Sequence, residues 1–330
     1  MHDIANLSNQ QRKELFSETA KKIGTTNAIV EKDFWVVWVL SKIFSDDRLS
    51  NILMFKGGTS LSKVFDLIGR FSEDVDLILD WTLITDESPY KTRSNNKQDK
   101  FNKSVNEKAK EYIKEEILPI LTKLIAPLCQ ADIDSDDNFS INIVYPSVFT
   151  TDEYLRPNIL LEIGPLASWL PSSEYEIKSL TAMHFPKLFK TPKCKVKTIV
   201  AERTFWEKAT ILHHEANRPK DLPMPHRYSR HYYDLAMMVN SDVKDKALSN
   251  LDLLENVVEF KKKFYPRKWA DYEMAQVGTL KLLPPIYRLL ELKRDYESMK
   301  HMIYDKHLLF DEIIAILASL EKEINGLNTK

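Results

Sequence analysis

Residues 52–79, ILMFKGGTSLSKVFDLIGRFSEDVDLIL, constrain the fold more than any other stretch of the sequence. The pattern predicts a buried strand at residues 52–55, a Gly57-Gly58 turn, a short amphipathic helix and a second strand. The helix would turn Leu61, Phe65 and Ile68 toward the core. This order of elements predicts an α/β core built on a sheet.

The second strand carries two acidic residues, Asp74 and Asp76, that are predicted to lie side by side. Residues at positions i and i+2 of a strand point to the same face, while Val75 and Leu77 would point to the core. Adjacent carboxylates repel each other unless a cation lies between them, and Mg²⁺ or Mn²⁺ binds carboxylate oxygens together with water and phosphate. The pair therefore predicts a metal site. The alternative interpretation is that the two aspartates belong to the solvated face of an edge strand.

The residues before this strand predict a turn that binds phosphate. The Gly57-Gly58 dipeptide lets the backbone approach a ligand closely. Thr59 and Ser60 add hydroxyl groups where the following helix exposes free N–H groups. Apolar strand, Gly-Gly, helix and Asp-apolar-Asp together resemble the signature of the polymerase-β type nucleotidyltransferase superfamily.

Composition bounds the remaining possibilities. The chain has 330 residues, 43% of them apolar, which is enough for one large domain or two of ordinary size. A net charge of −1 means that binding of nucleic acid would need local basic patches. Two cysteines, Cys129 and Cys194, do not favour a disulfide framework or a zinc site. We see no signal peptide and no apolar run long enough for a membrane span, so a cytoplasmic protein is expected.

Three further segments predict two helices and a turn around this core. Residues 8–23 and 27–44 predict two helices, and the second contains Glu31, Lys32 and Asp33. These charges are either a surface ion-pair cluster or a brace behind the nucleotide site. The acidic stretch 131–138 predicts a solvated turn, because it lacks the Gly and the distal Glu of an EF-hand loop.

Two strands are predicted at residues 139–145 and 158–163, and the second places Glu162 in an apolar run. An acid buried there would need a partner. It is either paired with a basic residue or, by superfamily logic, the third carboxylate of the metal site.

A helix at residues 200–217 places Lys208 within its apolar stripe. Such a lysine either extends its ammonium to the surface or points into a cleft, where it would neutralise phosphate charge. In the next helix, Arg230 and Asp234 share a face at i, i+4. They form a helix-stabilising ion pair, or Asp234 serves the catalytic centre as a base or by positioning Lys208.

Basic and aromatic residues occur together in residues 185–197 and 261–269. Lysines interleaved with aromatic rings suit a phosphate backbone and stacked bases. A solvated loop and an exposed lysine run at a helix end are the respective alternatives.

Four ordered motifs carry a more specific resemblance. They are FKGGTSLSK, RFSEDVDL, ERTFWEKATILHHEA and RYSRHYYDLA, and VEKDFWV near the N-terminus accompanies them. Together they resemble the AbiEii family of nucleotidyltransferase toxins from type IV toxin–antitoxin and abortive-infection systems. The likeness runs from about residue 28 to residue 325.

The resemblance implies a role for each matching residue. It implies metal binding by Asp74 and Asp76, with Glu162 added from superfamily logic, and catalysis by these two aspartates with Lys208 and Asp234. It implies nucleotide binding by Lys56, Gly57, Gly58, Thr59, Ser60 and Ser72. Ser72 matches a serine that is phosphorylated in some relatives.

We therefore expect an α+β protein with a polymerase-β type nucleotidyltransferase core, a small mixed sheet and a helical C-terminal lobe. Residues 1–195 would form the core, and residues 196–330 the lobe that completes the active site. The expected activity is Mg²⁺-dependent transfer of a nucleoside monophosphate from an NTP to an acceptor hydroxyl, with tRNA as the acceptor and a separately encoded antitoxin as a partner. The alternatives are a catalytically silent NTP-binding or protein-interaction module, a protein-modifying nucleotidyltransferase and a metal-dependent nuclease.

Overall fold

A computed structural model describes residues 1–149, 158–305 and 307–327. The chain packs into two compact units. Unit 1 contains Met1–Phe65 and Phe71–Ile199, and unit 2 contains Asp66–Arg70 and Val200–Lys330. The predicted boundary follows residue 195, and the place of Asp66–Arg70 in unit 2 was not predicted.

Unit 1 is built on a seven-stranded mixed sheet. Its strands are β1 (Leu53–Lys56), β2 (Asp74–Leu79), β3 (Gln130–Ile133), β4 (Ser140–Val144), β5 (Asn158–Gly164), β6 (Ser172–Ile177) and β7 (Cys194–Ile199). Their order across the sheet is β3-β4-β5-β2-β1-β7-β6. Strand β2 runs antiparallel to β1 and parallel to β5, and β1 runs parallel to β7. The predicted α+β class with a mixed sheet is confirmed.

Unit 1 also contains α-helices. They are α1 (His2–Ala5), α2 (Asn9–Ile23), α3 (Asn27–Ser45), α4 (Asp47–Ser50), α5 (Gly57–Lys63), α6 (Asn95–Tyr112), α7 (Leu118–Ile125) and α8 (Leu180–His184). Thirteen of the nineteen residues of α3 are buried, so nearly every side of this helix faces protein.

Local sequence explains the ends of the first long helices. Ser8 and Gln11 form a capping box at the start of α2, and Gly24 ends the helix in the left-handed conformation at φ 72°. Thr26 caps α3 by accepting a hydrogen bond from the Ile29 N–H. Both helices therefore begin and end close to the predicted residues.

The helix after the glycine turn is shorter than predicted. It ends at Lys63, and Asp66 adopts a left-handed φ of 51°, which a helix cannot continue through. Ile68 is buried as expected, but it lies beyond the helix, and Phe65 is only half-buried.

Two expectations about strands and loops were wrong in part. Residues 131–133 belong to β3 instead of a solvated turn, because Ala131 and Ile133 pair with Ile143 and Ile141 of β4. Residues 194–197 belong to β7, whose Val196 is buried while Lys195 is exposed. That alternation is typical of a strand with one solvated face.

Unit 2 contains six α-helices within the described ranges. They are α9 (Ala201–Ala216), α10 (Ser229–Val239), α11 (Asp242–Leu248), α12 (Leu251–Phe264), α13 (Leu289–Met299) and α14 (Phe310–Asn325). Helix α9 packs against α10, α11 and α12. The predicted helical C-terminal lobe is confirmed.

Candidate active site

The glycine turn between β1 and α5 lies directly against Asp76. Gly57 has a φ of 81°, and a Cβ atom built on it would lie 1.8 Å from Asp76 Oδ2. Any side chain at residue 57 would therefore displace this carboxylate and strain the backbone. The geometry explains why a glycine precedes the acidic strand in the sequence.

The hydroxyl groups after the turn hold the turn to β2. Thr59 Oγ1 donates to the Asp74 carbonyl oxygen at 2.5 Å, and Ser60 Oγ donates to the Gly57 carbonyl oxygen at 2.8 Å. Both side chains are buried. Their hydrogens are therefore committed to the backbone, and a role in phosphate binding would use their oxygens as acceptors or the N–H groups of the turn.

Asp74 and Asp76 lie on one face of β2, as predicted. Both are half-buried, whereas Val75 and Leu77 between and after them are buried on the opposite face. In the sheet register, Lys56 of β1 pairs with Asp76 on one side, and Glu162 of β5 pairs with it on the other. We call the side of the sheet that carries Lys56, Asp74, Asp76 and Glu162 the carboxylate face.

Glu162 is exposed, so burial in the apolar run does not by itself require a partner for this carboxylate. Its place beside Asp76 is the one that a third carboxylate would take. In the described part of the chain, however, no three acidic, histidine or cysteine side chains are gathered closely enough to hold a metal ion. A metal role for Glu162 stays a prediction.

The aspartate pair fits a divalent cation that is completed by substrate. Mg²⁺ in phosphate-transfer sites is bound by one or two carboxylates and otherwise by water and phosphate oxygens. Asp74 and Asp76 supply these two carboxylates on a rigid strand, and Gly57 leaves room for the second. The residues present therefore suit such an ion without a complete protein cage.

Buried charges of α3 contact both halves of the glycine–aspartate segment. Lys32 Nζ lies 3.3 Å from Glu73 Oε1, and Glu73 directly precedes Asp74. Asp33 forms an ion pair with Lys63 at the end of α5 and accepts a hydrogen bond from the Leu180 N–H at 2.6 Å.

The third member of this group, Glu31, binds a different segment. It accepts hydrogen bonds from Ser147 Oγ at 2.7 Å and from the Val148 N–H at 2.8 Å. Burial raises the pKa of the Glu31 carboxyl, although these hydrogen bonds oppose the shift. The surface reading of residues 31–33 was wrong, because all three side chains are buried.

A second polar group lies in unit 2 and is centred on Asp234. Arg70 donates to both of its oxygens, from Nε to Oδ1 at 2.6 Å and from a terminal nitrogen to Oδ2 at 2.8 Å. Lys208 Nζ donates to Oδ2 at 2.7 Å and lies 3.1 Å from His231 Nδ1. We call Arg70, Lys208, His231 and Asp234 the Asp234 cluster.

The surroundings shift the pKa of each member of the Asp234 cluster. Burial alone would raise the pKa of Asp234, but Arg70 and Lys208 outweigh it and lower that pKa to about 2. Burial lowers the pKa of Lys208, and the nearby Arg70 adds to this effect. Burial and Lys208 hold the pKa of His231 well below its usual value. A neutral His231 therefore accepts the hydrogen bond from the ammonium.

The Asp234 cluster differs from the predicted ion pair between Arg230 and Asp234. Asp234 is fully buried and pairs with Arg70, which lies 164 residues earlier in the chain. Lys208 is buried and does not extend to the surface. Arg70 and His231 were not predicted as site residues, although both lie within recognised motifs, RFSEDVDL and RYSRHYYDLA.

Several lysines of the two basic-aromatic segments are engaged within the protein. Lys261 donates to the Glu207 carbonyl oxygen, and Lys262 pairs with Glu259 and Glu273. In the other segment, Lys193 pairs with Glu176 at 2.7 Å. Their predicted role in RNA binding stays a prediction.

Comparison with known proteins assigns the family. The family model for the nucleotidyl transferase AbiEii toxin of type IV toxin–antitoxin systems matches residues 38–316. No curated protein sequence matches the chain.

Two solved structures resemble the fold. MenT4, a nucleotidyltransferase toxin from Mycobacterium tuberculosis H37Rv, is 15% identical with a TM-score of 0.42, and the match covers 97% of this chain and 100% of that one. JHP933 from Helicobacter pylori is 14% identical with a TM-score of 0.41, and the match covers 91% of this chain and 94% of that one. The assignment rests on the family model.

The family model covers well over half of the sequence and agrees with the glycine–aspartate segment described above. It implies an NTP substrate, a divalent metal ion and an antitoxin partner. None of the helices in the described ranges combines the length and hydropathy of a membrane span. The chain belongs to the AbiEii family of nucleotidyltransferase toxins of type IV toxin–antitoxin systems.

Proposed function

We propose that this enzyme transfers a nucleoside monophosphate from an NTP to an acceptor hydroxyl in a Mg²⁺-dependent or Mn²⁺-dependent reaction, with tRNA as the acceptor. Pyrophosphate leaves as the new phosphodiester bond forms. One observation carries the proposal: Asp74 and Asp76 share a face of β2, and Gly57 of the preceding turn touches the second carboxylate.

Asp74 and Asp76 are the residues that would hold the metal ion, with Glu162 as a further candidate ligand. When bound, the ion would offset charge on the triphosphate and lower the pKa of the attacking hydroxyl. The Gly57-Gly58 turn presents backbone next to Asp76, where phosphate oxygens would lie. Lys56, Thr59, Ser60 and Ser72 are the other candidates for nucleotide binding.

Lys208 would supply positive charge to the triphosphate. Lys208 is one of two cations that share the Asp234 carboxylate, while His231 beside it is neutral. An ammonium that shares its counter-charge in this way would be stabilised further by an anion, and phosphate is the anion that this reaction provides.

Asp234 is better suited to positioning Lys208 than to removing a proton. A general base works best with a pKa near the working pH, whereas the pKa of Asp234 is about 2. Both of its oxygens already accept hydrogen bonds from cations. We therefore assign the carboxylate to holding the ammonium of Lys208.

Transfer of label tests the proposal. The purified protein is incubated with Mg²⁺, total bacterial RNA and each α-labelled NTP in turn, beside Asp76→Asn. Asp132→Asn is the matched control, because Asp132 is an exposed aspartate on β3 of the same sheet. Circular dichroism checks that both variants fold.

We expect label in a tRNA-sized band with the wild type and with Asp132→Asn, and none with Asp76→Asn. Label on protein would keep the chemistry and replace the acceptor. Substantial label with Asp76→Asn, or no label with any NTP, would contradict the proposal.

A further inference from the structure

A groove of about 630 Å³ in unit 1 is lined mainly by positive charge. It is formed by the segment after the 3₁₀ turn Trp81–Leu83 and by α6. Five basic side chains and one acid line it, and we call it the basic groove: Lys91, Arg93, Lys97, Lys100, Lys108 and Glu87. This concentration of charge contrasts with a net charge of −1 for the whole chain.

Arg93 is part of the wall of the basic groove. Its guanidinium lies 3.8 Å from the centre of the Phe101 ring and donates to the carbonyl oxygens of Ser88 and Pro89. Glu87 lies 3.1 Å from the same guanidinium and 3.3 Å from Lys91 Nζ. Glu87, the one acid of the lining, therefore pairs with basic residues that precede α6. It does not pair with the lysines of the helix.

Helix α6 carries two sets of lysines with different surroundings. Outside the basic groove, Lys103 pairs with Asp99 and Lys110 pairs with Glu107, each at 2.8 Å. Inside it, the exposed set of Lys97, Lys100 and Lys108 has no carboxylate within 4 Å among the residues that the structure describes. Like charges without partners along one helix face are unfavourable, so an external anion would stabilise the arrangement.

The spacing of these lysines suits an extended anion. Lys97 and Lys108 are eleven residues apart, which is about 16 Å along a helix. A single phosphate cannot contact both ends of such a row, whereas a phosphodiester chain presents several charges over that length. The lining adds hydroxyls from Ser94 and Ser104, which can donate to phosphate oxygens, beside the apolar side chains of Phe101 and Val105.

We propose that the basic groove binds the phosphodiester backbone of the RNA acceptor. That the bound RNA is the acceptor of the reaction rests on the proposed function. Binding of RNA itself does not require transfer of a nucleoside monophosphate. The lysines of α6 would contact successive phosphates, while Arg93 and Phe101 keep the wall in place.

Equilibrium binding without NTP and with EDTA tests this proposal separately from catalysis. The probes are a fluorescein-labelled 20-nucleotide single-stranded RNA and labelled bulk tRNA, followed by anisotropy at several salt concentrations. The groove variant combines Lys97→Gln, Lys100→Gln and Lys108→Gln. A matched control combines Lys13→Gln, Lys103→Gln and Lys123→Gln, which removes the same charge from exposed positions outside the basic groove.

Three lost phosphate contacts should weaken binding of the single-stranded RNA by on the order of 100-fold at 0.1 M salt. The slope of log affinity against log salt should become shallower by about 2. The control should change both quantities far less. Competition by unlabelled RNA but not by equal concentrations of inorganic phosphate or ATP would support the backbone as the ligand.

Equal losses in the groove variant and the control would overturn the proposal, because they would show a general effect of charge. Displacement of RNA by ATP would also overturn it and indicate a nucleotide site. Unchanged RNA affinity with lost binding of polyglutamate would replace RNA by an acidic protein partner. Failure of the proposed function would appear differently, as absence of label transfer by a wild type that still binds RNA.

Discussion

Replacing Asp234 by Asn should strongly destabilise the protein, because it leaves two buried cations facing an uncharged amide. The side chain is fully buried and accepts hydrogen bonds from Arg70 and Lys208 on both oxygens. Asparagine keeps the shape but offers one acceptor oxygen and places an amide group against a donor. Arg70 cannot lose its charge, so it remains buried without its carboxylate.

The structure bounds the size of this effect. A pKa of about 2 in the folded protein against the ordinary 3.8 corresponds to about 2 kcal/mol of stabilisation at neutral pH. Removing one partner of a buried ion pair costs about 3–5 kcal/mol. We therefore expect Asp234→Asn to lower the free energy of unfolding by about 2–5 kcal/mol.

Urea unfolding measures this difference, with hydrogen exchange of peptides from α9 and α10 as a local readout. The control is Asp242→Asn, which removes an exposed carboxylate from the first turn of α11 and should lower the free energy of unfolding far less. Adding Lys208→Met to Asp234→Asn removes one of the two stranded cations. The double variant should therefore be more stable than the sum of the single changes predicts.

Two results would contradict the predicted effect of Asp234→Asn. One is a loss for Asp234→Asn that equals the loss for Asp242→Asn. The other is strict additivity of Asp234→Asn and Lys208→Met, which would show that the ammonium and the carboxylate do not stabilise each other.

Three further outcomes follow from the same structure. Gly57→Ala should abolish label transfer and lower stability, since its Cβ would overlap a carboxylate oxygen of Asp76. The control Gly164→Ala meets no atom within 4 Å and should change label transfer little. Equal effects of the two changes would contradict the close approach of Gly57 to Asp76. Lys32→Met should cost about 3 kcal/mol in urea unfolding because it removes a buried cation from its carboxylate partner, and Lys42→Met on the half-buried end of the same helix should cost clearly less. The pKa of Asp234 is lower in the folded than in the unfolded protein, so its stabilisation is complete above about pH 4 and is lost as pH falls toward 2. Urea midpoints of the wild type should fall over this pH range by more than those of Asp234→Asn.

Local patterns in the sequence predicted the centre of unit 1 well. The alternation around Val75 placed two aspartates on one face, and the glycines before them marked the turn. The predicted bounds of α2 were close to those observed, because its caps Ser8 and Gly24 act on residues that are near in the sequence. These features share a short range of interaction, which a single sequence records directly.

Features that depend on distant residues were not predicted. The partner of Asp234 is Arg70, 164 residues away, and no periodic pattern connects them. The choice between a surface cluster and a buried brace for Lys32 and Asp33 stayed open, because their buried partners lie in other segments. Short strands were also missed: the polar β3 resembles a turn, and the alternating lysines of β7 resemble a basic loop.

The three charged residues at positions 31–33 of α3 restrict where insertions and deletions can occur in this chain. Glu31, Lys32 and Asp33 point about 100° apart around the helix, and each contacts a different segment of unit 1. Inserting one residue between Thr26 and Glu31 would rotate all three charges by that angle and direct them into apolar surroundings at the same time. The helix therefore has a single permitted register, and insertions or deletions should be tolerated before its cap or after Ser45 but not inside it.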